Sequence, residues 1–144
     1  MSSASSAPEG ATHTGGCLCG ALRYTIAGEP LYAGLCYCSD CRRASGSGCI
    51  PFMGIRASAL RLTGKSRQSV SRSARGGEAV RNFCAECGSL VFGGRSGMDE
   101  QHTIYAGSLD DPSWFNPTIA IFMRDRPAWA QVPSGLKTYD TLPG

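Results

Sequence analysis

Seven of the eight cysteines in this 144-residue chain fall into three tight groups, and that spacing limits what the chain can fold around. Cys17 and Cys19 make C-x-C, Cys36, Cys38 and Cys41 make C-x-C-x-x-C, and Cys84 and Cys87 make C-x-x-C, while Cys49 stands alone. In an extended segment residues i and i+2 point to one face, so C-x-C can aim two sulfurs at one ion. C-x-x-C closes a tight turn, and the glycine that follows Cys87, Gly88, lets that turn adopt positive φ. The N-terminal stretch MSSASSAPEGATHTGG has no apolar core of the kind a secretion signal needs. The chain is therefore expected in the cytoplasm, where thiols stay reduced, and metal ligation or redox chemistry fits the cysteines better than disulfides do.

Seven clustered sulfurs divide into four plus three. Cys17, Cys19, Cys84 and Cys87 make a closed tetrahedral zinc site of the structural kind. Cys36, Cys38 and Cys41 make a second site with three protein ligands and one open position, as catalytic zinc sites have. That division implies two zinc ions per chain. Three alternatives stay open on spacing alone. Cys49 or His102 could complete the second site as a fourth ligand, Cys49 could be a small buried hydrophobe, or four thiolates could hold an iron–sulfur cluster. Arg42 and Arg43 directly follow Cys41 and are candidates for binding an anionic substrate beside an open metal.

Nineteen glycines and eight prolines call for many turns, and no segment keeps helical periodicity for long. The expected fold is mainly β, one mostly antiparallel domain over 15–144 with cysteines in its turns, after a disordered tail over 1–14. Leu22, Tyr24 and Ile26 alternate with Arg23 and Thr25 as a half-buried strand. EPLYAGLC reads as a strand ending at the triplet. SDCRRASG reads as a helical turn capped by Ser39 and stopped by Gly46. Pro51 puts its strand at a sheet edge or a bulge. Trp114, Phe115, Phe122 and Trp129 are expected in the core or a pocket wall. The net charge of +3 is too mild for a nucleic-acid binder, and no run approaches the ~20 apolar residues of a membrane span.

The segments GGCLCGALRYTI, CYCSDCRRASGSG, NFCAECGS and PAWAQVP, in that order, resemble the glutathione-dependent formaldehyde-activating enzyme family, which also includes centromere protein V. The resemblance runs from about Gly15 to Leu142. It implies a folded-leaf antiparallel β fold shared with Rab-exchange-type zinc chaperones. It implies the same assignment of Cys17, Cys19, Cys84 and Cys87 to a structural zinc and of Cys36, Cys38 and Cys41 to a catalytic one. It implies a carbon–sulfur lyase activity, the joining of glutathione and formaldehyde to S-hydroxymethylglutathione. A small-molecule thiol is then the expected partner, and an exposed sheet edge leaves a homodimer open. The competing reading from another class is a non-catalytic zinc module that acts through a protein partner.

Overall fold

The computed structural model describes residues 12–73 and 76–143. Chain order is β1 Thr12–Gly16, β2 Arg23–Ala27, β3 Tyr32–Cys36, helix α1 Ser39–Ser45, β4 Ile50–Arg56, β5 Leu60–Thr63, β6 Ser66–Arg72, β7 Glu78–Cys84, β8 Leu90–Gly93, β9 Gln101–Tyr105, β10 Ile119–Ile121 and β11 Lys137–Thr138. The expected tail ends earlier than the sequence suggested. Thr12, His13 and Thr14 already pair with Ala27, Ile26 and Thr25, and the rest of the tail lies outside the described residues.

Two sheets form. One holds β1, β2 and β5, and the other runs β11-β10-β3-β4-β9-β8-β7-β6. Consecutive strands β5 and β6 therefore belong to different sheets and make no hairpin across GKS. The turn between them needs Gly64: its φ of 97° is left-handed, and a Cβ there would run into the Ala21 carbonyl. Pairing is antiparallel except around β10, which lies parallel to both β3 and β11. β11, two residues long, closes the large sheet; the RPAWAQVP segment before it is irregular.

The alternation read in β2 holds. Leu22, Tyr24 and Ile26 turn inward against Met53 and Ile55 of β4, Val91 and Phe92 of β8 and Ile104 of β9. Ile26, Met53, Val91, Phe92 and Ile104 are completely buried. Each such side chain contributes about 1.5–3 kcal/mol relative to exposure. This core glues the small sheet to one face of the large one and leaves part of the other face for the cavity described below.

Three local expectations are corrected. β4 is an interior strand between β3 and β9, but its ladder with β9 begins only at Phe52. Pro51 thus sits where a single neighbour flanks the strand, and its missing N–H costs no bond on the β9 side. The cap of α1 is Cys38, not Ser39: the Cys38 sulfur accepts the Cys41 N–H at 3.2 Å, while Gly46 ends the helix in a left-handed conformation as expected. Trp129 is 68% exposed and belongs to no core, whereas Trp114 and Phe115 pack against the main one.

Candidate metal centres and the cavity beside one of them

The four-sulfur group is built from two turns. After β1 the chain reverses through Cys17, Leu18, Cys19 and Gly20, with Cys17 N–H donating to the Leu22 carbonyl at 2.9 Å. At the end of β7, Gly88 donates to the Cys84 carbonyl at 3.0 Å with φ of 78°, the positive value the motif called for. The sulfurs of Cys17, Cys19, Cys84 and Cys87 lie within 4.8 Å of one another. Cys19 Sγ is 3.7 Å from both Cys17 Sγ and Cys84 Sγ. A tetrahedron with 2.3 Å zinc–sulfur bonds has edges of ~3.8 Å, so this donor set fits zinc without rearrangement. Backbone N–H groups already point at the sulfurs: Leu22 N–H at 3.2 Å from Cys17 Sγ, and Glu86 and Cys87 N–H at 3.3 and 3.4 Å from Cys84 Sγ. Such donors favour thiolate. The Ser89 hydroxyl holds the Cys87 thiol down to about 5.

The triplet is made differently. Strand alternation in β3 and the two residues after it sends Leu35 and Tyr37 to one side and Cys36 and Cys38 to the other. Cys41 joins them from the first turn of α1, so all three sulfurs are buried and lie within 4.8 Å of one another. The parallel neighbour helps hold the segment, because Tyr37 N–H donates to the Ile121 carbonyl at 3.0 Å. Hydrogen bonds from the Cys36 and Cys41 thiols lower the Cys38 thiol to about 2, and Cys36 and Cys38 in turn push Cys41 well above its ordinary range. Three thiols this close cannot all ionise unless a cation joins them. The donor set suits a zinc ion with one position left for another ligand.

Neither Cys49 nor His102 belongs to this group among the described residues. Cys49 packs on the opposite side of the sheet with Tyr37, Ala120 and Ala130, and burial raises its thiol. His102 is a satisfied core histidine, with Nδ1 at 3.1 Å from the Gly93 carbonyl and its ring edge-on to Phe92. His13 stacks on Trp114 with ring centroids 3.6 Å apart.

A cavity of about 600 Å³ opens over the face of the large sheet that carries the triplet. Strand register supplies its floor in three rows. Ile121, Cys36 and Ile50 are aligned; Gly34, Phe52 and Tyr105 come next; Tyr32, Gly54, Thr103, Gly93 and Arg81 form the third. Glycines in the third row make room for neighbouring side chains: the Tyr32 ring lies where a Cβ at Gly54 would be, and the Tyr105 hydroxyl lies over Gly93, 2.9 Å from where its Cβ would sit. The end near the triplet is apolar, with Ile50, Phe52, Ile119 and Ile121, and the far end is charged. Cys36, Cys38 and Cys41 all line this cavity, whereas the four-sulfur group does not.

Arg42 and Arg43 do not line it. They ride on the far turn of α1, Arg42 half-buried and Arg43 exposed. The cavity arginines are Arg81 and Arg95, which no motif marked. In β7 the inward residues are Val80, Asn82 and Cys84, so alternation turns Arg81 to the cavity face. Which strand lies opposite depends on sheet order, and that order is not in the local pattern.

Behind the triplet sits Phe122, 2% exposed. It is the one non-glycine among the described residues at positive φ, 57°. A bulky residue there is strained by about 1–3 kcal/mol. The twist ends β10 and packs the ring against the cysteine cluster.

The glutathione-dependent formaldehyde-activating enzyme family matches residues 12–125. A Halomonas elongata protein that bears the family's name is 27% identical over 127 residues, covering 83% of this chain and 80% of its own. A crystal structure of a Rhodobacter sphaeroides protein has the same fold, with a TM-score of 0.52 at 24% identity over 88% of this chain and 98% of that one.

Proposed function

This chain belongs to the glutathione-dependent formaldehyde-activating enzyme family, and from that premise we propose that it is a cytoplasmic carbon–sulfur lyase of the S-hydroxymethylglutathione synthase type, with one structural and one catalytic zinc. It joins a glutathione-type thiol to a small carbonyl such as formaldehyde, or cleaves that bond. The observation that carries the reading is the contrast in surroundings. The three-sulfur group lines a substrate-sized cavity, and the four-sulfur group lies outside it.

A zinc ion held by Cys36, Cys38 and Cys41 would supply a Lewis acid that polarises a carbonyl oxygen and acidifies a thiol. The protein's own residues do the rest. Ile50, Phe52, Ile119 and Ile121 make a dry wall that excludes water from the reacting groups. The narrow floor holds thiol and carbonyl side by side, which removes much of the entropy cost of their encounter. In the joining direction the thiol sulfur bonds to the carbonyl carbon as the S–H bond breaks, and the carbonyl π pair moves onto oxygen, where it becomes the new O–H bond. The thiol proton ends on that oxygen, and nothing is oxidised or reduced. Asp40, next to Cys41, lines the same cavity and is the group we assign to relay that proton. Arg42 and Arg43 add positive potential at this end of the molecule.

The test is the rate of S-hydroxymethylglutathione formation from glutathione and formaldehyde with zinc-loaded protein. A rate well above the uncatalysed one, lost in Cys38→Ser, is expected. Zinc-loaded wild type that gives no acceleration with glutathione and any small aldehyde would sink the enzyme reading in favour of a non-catalytic zinc module.

A further inference from the structure

Residues 137–143 form a strap that is tied to the segment walling the triplet. Lys137 and Tyr139 donate backbone N–H groups to the Thr118 and Ala120 carbonyls at 3.1 and 2.9 Å. In return, the successive N–H groups of Phe122, Met123 and Arg124 donate to the Thr141, Tyr139 and Asp140 carbonyls at 3.0, 3.0 and 3.3 Å. The left-handed turn at Phe122 brings these donors to one side, where the strap meets them.

Those bonds decide where the strap leads. Ile121 is the register partner of Cys36, and the Phe122 ring and Tyr139 pack with the triplet. Leu142 directly follows the Thr141 carbonyl that Phe122 holds, which puts it at the triplet end of the cavity. Leu142 and Pro143 both line that cavity. Leu142 is 42% exposed, so much of this apolar side chain is open to a guest. Pro143 restricts the residue before it to extended backbone, which limits how far Leu142 can swing. The other side chains that wall this end are Ile50, Phe52, Ile119 and Ile121. Such a wall offers no hydrogen bond and discriminates by size.

We infer that Leu142 sets the upper size of the carbonyl substrate. A group as small as formaldehyde fits beside the thiol sulfur, and a longer alkyl chain on the carbonyl carbon runs into the Leu142 side chain. The inference rests on the reading above that the carbonyl reacts at the triplet. The bonds made and broken are the same for every aldehyde, so changing the aldehyde changes only the substituent that the wall must accept.

The test compares butanal with formaldehyde. Each is reacted with glutathione and zinc-loaded protein, and kcat/KM is taken from initial rates above the uncatalysed background. Wild type should strongly prefer formaldehyde. Leu142→Ala removes a branched chain about as long as the one butanal adds, and should raise the butanal-to-formaldehyde ratio about 10-fold or more, the effect of a methylene-sized misfit in an apolar pocket. Leu142→Phe should lower the ratio. Val70→Ala, on the outer strand β6 and equally exposed at 44%, should leave it at the wild-type value. A ratio that neither Leu142 variant moves overturns the inference and leaves the reading of the triplet standing. An equal fall with both aldehydes in Leu142→Ala also overturns it, because that marks a structural role. So does wild type that accepts butanal as well as formaldehyde. Wild type that accelerates neither aldehyde overturns both the size limit and the reading beneath it.

Discussion

The two cysteine groups share an element and almost nothing else. The four-sulfur group joins two turns that are far apart in sequence, at the end of β1 and the end of β7, with Cys19 and Cys87 open to solvent. The triplet comes from one short stretch, is wholly buried and faces a cavity. The first ties distant parts of the chain together and has no room for a guest. The second adds little connectivity and has an apolar chamber beside it. Coordination number would follow from that placement: four sulfurs would complete an ion's shell, and three would leave one position on the side of the cavity.

The sharpest way to break this comparison is to remove one sulfur from each group. Structural zinc in small domains contributes on the order of 10 kcal/mol, comparable to a domain's whole stability. Cys84→Ser should therefore abolish the cooperative thermal transition followed by circular dichroism. Cys38→Ser should keep that transition within about 5 °C while activity falls at least 100-fold. Equal melting behaviour in the two variants would mean that the groups do not differ in role.

Phe122 tests the packing behind the triplet. Phe→Ala in a core costs about 3–5 kcal/mol. Glycine removes the same ring but relieves the left-handed strain, so Phe122→Gly should be more stable than Phe122→Ala by about 1 kcal/mol in urea denaturation. That reverses the usual order, and a less stable glycine variant would deny that the strain is real.

A smaller effect probes the enclosed group. The Ser89 hydroxyl accepts the Leu18 N–H at 3.1 Å and lies 3.1 Å from the Cys87 sulfur. Ser89→Ala should cost about 1 kcal/mol and speed zinc loss to a chelator from this group only, read as release of one metal while thiol binding at the cavity stays unchanged. Parallel loss from both groups would argue that they are coupled.

The smallest effect lies beside β1. Arg23 and, secondarily, the Thr14 hydroxyl hold the Asp110 carboxyl down to about 2 from its ordinary 3.8. A depressed carboxylate contributes stability that is complete above the unfolded value and is lost as pH falls through the folded one. Wild type should thus lose a little stability between pH 4 and 2 that Asp110→Asn never had. The pair is exposed, so the difference should be slight; identical acid profiles would show that the pair adds nothing.

The facing of the cysteines within each motif was legible because it rests on local geometry, and the meeting of the Cys17 and Cys84 turns was inferred from the need of a closed site for four ligands. Alternation after Gly34 decides that Cys36 and Cys38 face together, and Gly88 at positive φ makes the second turn. The side on which Cys49 falls was not legible, since it depends on which face of the large sheet the residue joins. Arg42 and Arg43 looked like substrate contacts because they adjoin Cys41, yet the helix carries them away from the cavity. Arg81, forty residues beyond Cys41, reaches the cavity through the order β3-β4-β9-β8-β7. Pro51 and the Cys38 cap were misread for a related reason. One depends on where a neighbouring ladder begins, the other on a thiolate doing what a serine hydroxyl does at ordinary helix starts.

The parallel seat of β10 beside β3 has a temporal side. As the chain leaves the ribosome, Cys36, Cys38 and Cys41 emerge early, but Ile119, Ile121 and Phe122 that wall and back them come some eighty residues later. At the ~5–20 residues per second of synthesis, that is a window of several seconds. For that window three neighbouring thiols stand in the open, exposed to oxidants and to whatever soft metal the cell offers, while the partner strand that shelters them is still being made.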